Sequence, residues 1–157
     1  MPVGTDSPSE RRPPVQYVAF CTGLVLLVIG ILGFVPGATT EYHLLQLLGG
    51  GPSARLFDIF SVTVARNFLF VAFGIALIAV SRTSKLAHGL LIAGGLIFLL
   101  LYCYGLLAGH GADANLLALN GADNWLHLAI AVVLLATAFL AGQNRHPTRS
   151  TSPPGDV

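Results

Sequence analysis

The stretch LAHGLLIAGGLIFLLLYCYGLLA, Leu86 to Ala108, runs for 23 residues without an Asp, Glu, Lys or Arg. A helix rising 1.5 Å per residue covers a hydrocarbon core of about 30 Å with that length, so the segment predicts a membrane span. Working backwards, Ser81-Arg82-Thr83-Ser84-Lys85 is a tight basic turn, and Ile59 to Val80 is a second apolar run interrupted only by Arg66 and Asn67. A turn this short makes the two helices antiparallel neighbours, since backbone groups inside a bilayer must be satisfied within helices.

Further out, Val15 to Val35 is uncharged and ends at Pro36-Gly37, while Trp125 to Ala141 is a fourth, shorter apolar run. The whole chain of 157 residues is 54% hydrophobic and 10% charged, with a mean hydropathy of +0.76. Soluble domains carry about 25% charged residues. The expectation is an all-α membrane protein, a four-transmembrane-helix bundle forming one domain over residues 15–142. Its spans fall at about 15–35, 57–80, 86–108 and 124–141. The Pro- and Ser-rich ends, residues 1–14 and 143–157, offer no apolar face and read as disordered tails. Between the first two spans, Thr39-Thr40 is expected to cap a short surface helix over Glu41 to Leu48, Gly49-Gly50-Gly51-Pro52 to break it, and Ser53 to cap the next.

Orientation follows from the basic residues. Arg11, Arg12, Arg82, Lys85, Arg145 and Arg149, six of the eight Lys and Arg, share one side of a four-span chain. The positive-inside rule then places both termini in the cytoplasm of a multi-pass bacterial plasma-membrane protein. The partners expected are the lipid bilayer and other membrane or envelope proteins. A net charge of +1 with scattered basic residues argues against a nucleic-acid partner. No Walker loop, GxGxxG turn, CxxC pair or HExxH helix occurs, and two cysteines are too few for a cysteine-ligated zinc site. No metal or cofactor is expected: His88 and His127 fall at different depths, and no membrane Ser or Thr has an adjacent base, so an enzyme is disfavoured.

The chemistry gathers at the outer ends of the spans, where Arg66, Asn67, Tyr102, Tyr104, Asp123, Asn124 and His127 can converge as a binding cluster. Arg66 matters most, because a charge inside an apolar span costs about 2.5–3.5 kcal/mol unless paired or hydrated. Asp58 is turned away along the helix, so Asp123 is the expected partner, with Arg66 reaching toward the outer surface. Asn124 and His127 should fill the remaining donor and acceptor positions. Trp125 suits the headgroup interface better than a binding role. Small residues, Gly23 and Gly30, Gly74, Gly95, Ala131 and Ala138, mark expected helix contacts.

Asn67-Phe-Leu-Phe-Val-Ala-Phe-Gly-Ile also resembles Asn124-Trp-Leu-His-Leu-Ala-Ile-Ala-Val, a period of 57 residues from Asn67 to Asn124. That suggests a parallel repeat of two helix pairs about an axis along the membrane normal, as in some transporters.

Four stretches together bring a family into view: Gly30-Ile-Leu-Gly-Phe-Val-Pro-Gly37, Phe60-Ser-Val-Thr-Val-Ala-Arg-Asn67, Leu101-Tyr-Cys-Tyr-Gly105 and Asn120-Gly-Ala-Asp-Asn-Trp-Leu-His127. Across residues 15–142 the chain resembles the small, mainly actinobacterial membrane proteins grouped as domain of unknown function 4383. The resemblance implies four membrane helices and carries no established activity. Members often have His-Asn-x-x-His in the second span, where this chain has Arg66-Asn67-Phe-Leu-Phe70. Two functions stand at this point. One is a structural or regulatory partner of other envelope components; the alternative is a small transporter or ligand-binding bundle with an outward-facing polar site. An internal hydrated cavity reaching Arg66, Asp123 and His127 would favour the second, and a dry closed bundle the first.

Overall fold

The computed structural model describes residues 14–49, 51–108 and 115–143. The expected tails lie outside the described residues, apart from Pro14 and Gln143. Four helices dominate: α1 (Pro14–Leu32), α2 (Val64–Val80), α3 (Ser84–Ala108) and α4 (Gly121–Gln143). Three of them, α1, α3 and α4, are long and apolar enough to cross a membrane, with mean hydropathies of 2.3, 2.4 and 2.1 over their best windows. No more than 28% of any of these windows is buried inside the protein. Leu24, Val28, Phe68, Ile75, Leu100 and Val132 all point outward, a surface that water would not tolerate and lipid would. The chain is a multi-pass membrane protein.

The helices pack as two intimate pairs, α1 on α2 and α3 on α4, joined by lesser contacts between the pairs. In the first pair the expected glycines meet backbone to backbone. A Cβ added at Gly23 would lie 2.8 Å from the Gly74 carbonyl oxygen, and one at Gly74 would lie 2.7 Å from that of Gly23. Only glycine at both positions permits this approach. In the second pair Gly95 accepts the Leu135 side chain, and Ala131 and Ala138 are buried. The apolar core joins both pairs through Leu26, Leu77, Leu91, Phe98 and Leu134.

The repeat suspected between α2 and α4 extends to most of the burial pattern, with Gly30 and Gly94 the buried helix positions left without a buried counterpart. Arg66, Asn67, Phe70, Gly74, Leu77 and Ser81 correspond, at constant offset, to Asp123, Asn124, His127, Ala131, Leu134 and Ala138, and all twelve are buried. Likewise Val15, Ala19, Gly23, Leu26 and Gly33 of the first pair correspond to Ala87, Leu91, Gly95, Phe98 and Gly105 of the second, again all buried. The second offset is longer than the first because the α1–α2 connection is longer than the α3–α4 connection.

That extra length forms a layer absent from the sequence reading. Instead of a helix over Glu41 to Leu48 there is a single 3-10 turn, Tyr42–Leu44. Around it lies a three-stranded antiparallel sheet of β1 (Thr39–Thr40), β2 (Arg55–Leu56) and β3 (Phe60–Ser61), in that order. Thr39 faces Leu56, and Leu56 faces Phe60. Ala54, Leu56 and Val62 are buried beneath the layer against Ile29 and Leu32.

The second helix accordingly starts at Val64, later than the expected 57, and Thr63 rather than Ser53 caps it. Its first three amide groups, which no helical turn can satisfy, all find partners. Val64 N donates to Gln46 O at 2.9 Å and Ala65 N to Leu47 O at 3.1 Å, while Arg66 N donates to Thr63 Oγ1 at 3.3 Å. At the opposite end, Gln16 Nε2 donates to both Arg82 O and Ser84 Oγ at 3.0 Å, fastening the start of α1 to the α2–α3 turn.

Candidate functional site

The strand layer lies over the end of the molecule where α2 and α4 begin, and the polar residues collect beneath it. Asn120 precedes α4 and closes a reciprocal cap. Its Oδ1 accepts from Asp123 N at 2.9 Å, and its own backbone N donates to Asp123 Oδ2 at 3.0 Å. Such a box satisfies two end donors and places a carboxylate at the positive end of the helix. Asn120 Nδ2 then donates to Ile59 O at 2.8 Å and Ser61 Oγ at 3.1 Å, tying the α4 cap to β3.

The other Asp123 oxygen, Oδ1, lies 3.0 Å from Arg66 Nη1, with the two side chains 2% and 5% exposed. The groups meet as a charge pair without an aligned hydrogen bond, because Nη1 has no hydrogen-bonded acceptor. Each stands third in its helix, so Arg66 and Asp123 are corresponding positions of the two halves. Phe70 and His127, one turn further in, also correspond and also touch, at 6.2 Å between ring centroids. Corresponding positions that touch lie at the axis relating the halves. The charge pair is therefore central to the molecule and does not reach toward the surface as expected for Arg66.

Asn67 and Asn124 turn away from each other. Asn67 packs on Gly33 at the end of α1, and Asn124 on Gly105 near the end of α3. A side chain at either glycine would overlap the amide. His127 is fully buried between Phe70 and Phe98, 5.7 Å from the latter, and neither ring nitrogen has a hydrogen-bond partner. Thus Asn124 and His127 do not complete the shell around Arg66; Asn120 does so on the Asp123 side. Tyr104 braces the α3–α4 connection, its hydroxyl accepting from Leu116 N at 2.8 Å. Neither Tyr104 nor the half-buried Tyr102 lines the cavity described next. Trp125 is 70% exposed on the outer face of α4.

A cavity of about 200 Å³ opens directly on the charge pair. Its floor is Arg66, Asn67 and Asp123. Its walls are Ile29 and Phe70 from the helices and Leu56, Phe57, Phe60 and Val62 from the strand layer, closed by Leu126. Phe57 and Asp58 form the β2–β3 turn with φ of 51° and 60°. A bulky residue in the left-handed region is strained, and here it presents an aromatic ring to the cavity. Among the described residues no group of His, Cys, Asp and Glu is arranged to hold a metal. The sequence reading missed the strand-layer walls and Asn120. The Asn-x-x-Asp spacing of a reciprocal cap was the available signal for Asn120.

One comparison bears on this architecture. A family model described as a domain of unknown function, DUF4383, matches residues 16–140. The chain belongs to that family. No curated protein and no solved structure matches it. The DUF4383 match covers both helix pairs and the strand layer, so the charge pair and the cavity both fall within the family domain.

Proposed function

We propose that this DUF4383 protein is a ligand-binding four-span bundle of the bacterial plasma membrane, with both termini cytoplasmic and its pocket facing outward. The observation that carries the reading is the cavity of about 200 Å³ whose floor is a buried charge pair. A pair kept only for helix register is best enclosed by packed side chains, since space beside it leaves charge poorly solvated at low dielectric. Here the space is walled by apolar side chains with a few polar groups converging on one end, the usual make-up of a small-molecule site. The cavity reaches Arg66 and Asp123 but not His127, which narrows the site without removing it. The competing reading, a structural or regulatory partner of other envelope components, calls for no such space. Such partners and the lipid bilayer remain compatible with a ligand site.

The orientation rests on the basic residues, with Arg82 and Lys85 at the end of the molecule opposite the cavity. Reporter fusions after Val35 and Ala108 should be active only outside, and those after Val80 and Ala141 only in the cytoplasm. The ligand reading is tested by native mass spectrometry of protein extracted from its own membranes. A bound small molecule is expected on the unaltered chain and absent from Val62→Phe, which fills the cavity. Equal occupancy of both forms would contradict a ligand at this site.

A further inference from the structure

Resting on the reading of the cavity as a ligand site, we infer that its ligand is a small uncharged molecule with an apolar body and one carbonyl-type acceptor. The acceptor is received by Arg66 and Asn67. Three properties of the floor lead there.

The first is the kind of hydrogen-bonding capacity left open. Asn67 Nδ2 is a buried donor without a hydrogen-bond partner, and Arg66 Nη1 has only the Asp123 carboxylate 3.0 Å away, outside hydrogen-bond alignment; the two residues, 2% and 4% exposed, both line the cavity. Both Asp123 oxygens are occupied, Oδ1 by the Arg66 charge 3.0 Å away and Oδ2 by the Asn120 amide. An unsatisfied buried donor costs about 1–3 kcal/mol, and an acceptor oxygen entering the cavity relieves that of Asn67 while giving the Arg66 guanidinium an aligned acceptor. A hydroxyl or amine donor would have to compete with Arg66 and Asn120 for the Asp123 oxygens.

The second property is charge. Arg66 and Asp123 sum to zero within 3.0 Å, so the floor has no surplus positive charge to balance an anion. A carboxylate would bring a net negative charge into an apolar enclosure within reach of Asp123, where desolvation and like-charge repulsion both oppose it. A ketone, ester or amide oxygen accepts the same two hydrogen bonds without that cost.

The third is size. A cavity of about 150 Å³ lined by apolar side chains holds benzene, so about 200 Å³ takes one substituted ring or two fused ones. Phe57, Phe60 and Phe70 supply three aromatic walls, suited to a flat body.

The test uses the full chain in detergent and three probes of one shape: methyl naphthyl ketone, isopropylnaphthalene and naphthoate. Binding is read as the concentration dependence of the shift in thermal unfolding. The ketone is expected to bind about tenfold more tightly than the hydrocarbon, the worth of one to two net hydrogen bonds, and more tightly than naphthoate. Asn67→Leu should bring ketone and hydrocarbon together, and Val62→Phe should abolish binding of all three. The three-probe comparison on the unaltered chain decides even where Asn67→Leu fails to fold. Naphthoate binding best would overturn the uncharged acceptor while leaving the pocket in place. Equal binding of ketone and hydrocarbon would overturn the donor floor and likewise leave the pocket. Binding of none of the three, with Val62→Phe behaving as the unaltered chain does, would overturn the pocket itself.

Discussion

Asn120 ties three elements with one residue: its backbone and Oδ1 close the α4 cap on Asp123, and its Nδ2 holds the β2–β3 hairpin through Ile59 and Ser61. Loss of a cap side chain costs about 0.5–2 kcal/mol. Asn120→Ala should sit at the upper end of that range, because the hairpin loses its anchor as well, and thermal unfolding in detergent measures it. A cost below about 0.5 kcal/mol would show that the cap does not hold the layer. At this scale the sequence was readable where energy forces one answer. Arg66 in an apolar run needs a counter-charge, and Asp123 was the acid placed to supply it. It was unreadable where several neighbours could serve. Helical spacing put Asn124 and His127 on the Asp123 face but could not say that Asn124 would turn to Gly105 and His127 to two phenylalanines.

Between elements, fit depends on small residues at corresponding places. Gly33 receives the Asn67 amide and Gly105 the Asn124 amide, so α1–α2 and α3–α4 are joined at their cavity ends by the same device. Overpacking a tight contact costs about 1–3 kcal/mol. Gly33→Ala and Gly105→Ala should each fall in that range, while Gly89→Ala, where a Cβ meets nothing within 4 Å, should leave the unfolding temperature unchanged or raise it. A neutral Gly105→Ala would contradict the amide-on-glycine contact. The long apolar runs announced the helices because length alone decides a span. The strands did not announce themselves, since two residues each are too few for alternation to appear. The positive φ at Phe57 and Asp58 carries no glycine to mark the turn. Thr63 competed with Ser53 as a cap, and only the Gln46 and Leu47 carbonyls, supplied by the layer itself, made the later start favourable.

For the molecule as a whole, the two helix pairs correspond in burial at most positions, and corresponding positions meet at Arg66 with Asp123 and at Phe70 with His127. The repeat was faint in the sequence because only Asn67 and Asn124, with a Leu and an Ala, are identical between α2 and α4 in that stretch. Burial is what the two halves share, and apolar residues exchange freely in lipid. Among the described residues the strand layer belongs to the first half alone, so the cavity is the place where the repeat breaks. The charge pair there joins the halves, and a pair this buried should behave as one unit. The measurement is a double-mutant cycle of Arg66→Leu, Asp123→Leu and both, read by thermal unfolding in detergent. Each single change should cost about 3–5 kcal/mol by leaving a charge unpaired at low dielectric. The double should cost less than the sum by at least about 1 kcal/mol. Effects that add within about 0.5 kcal/mol would show that Arg66 and Asp123 do not share one site, and the floor of the cavity would not be the one described.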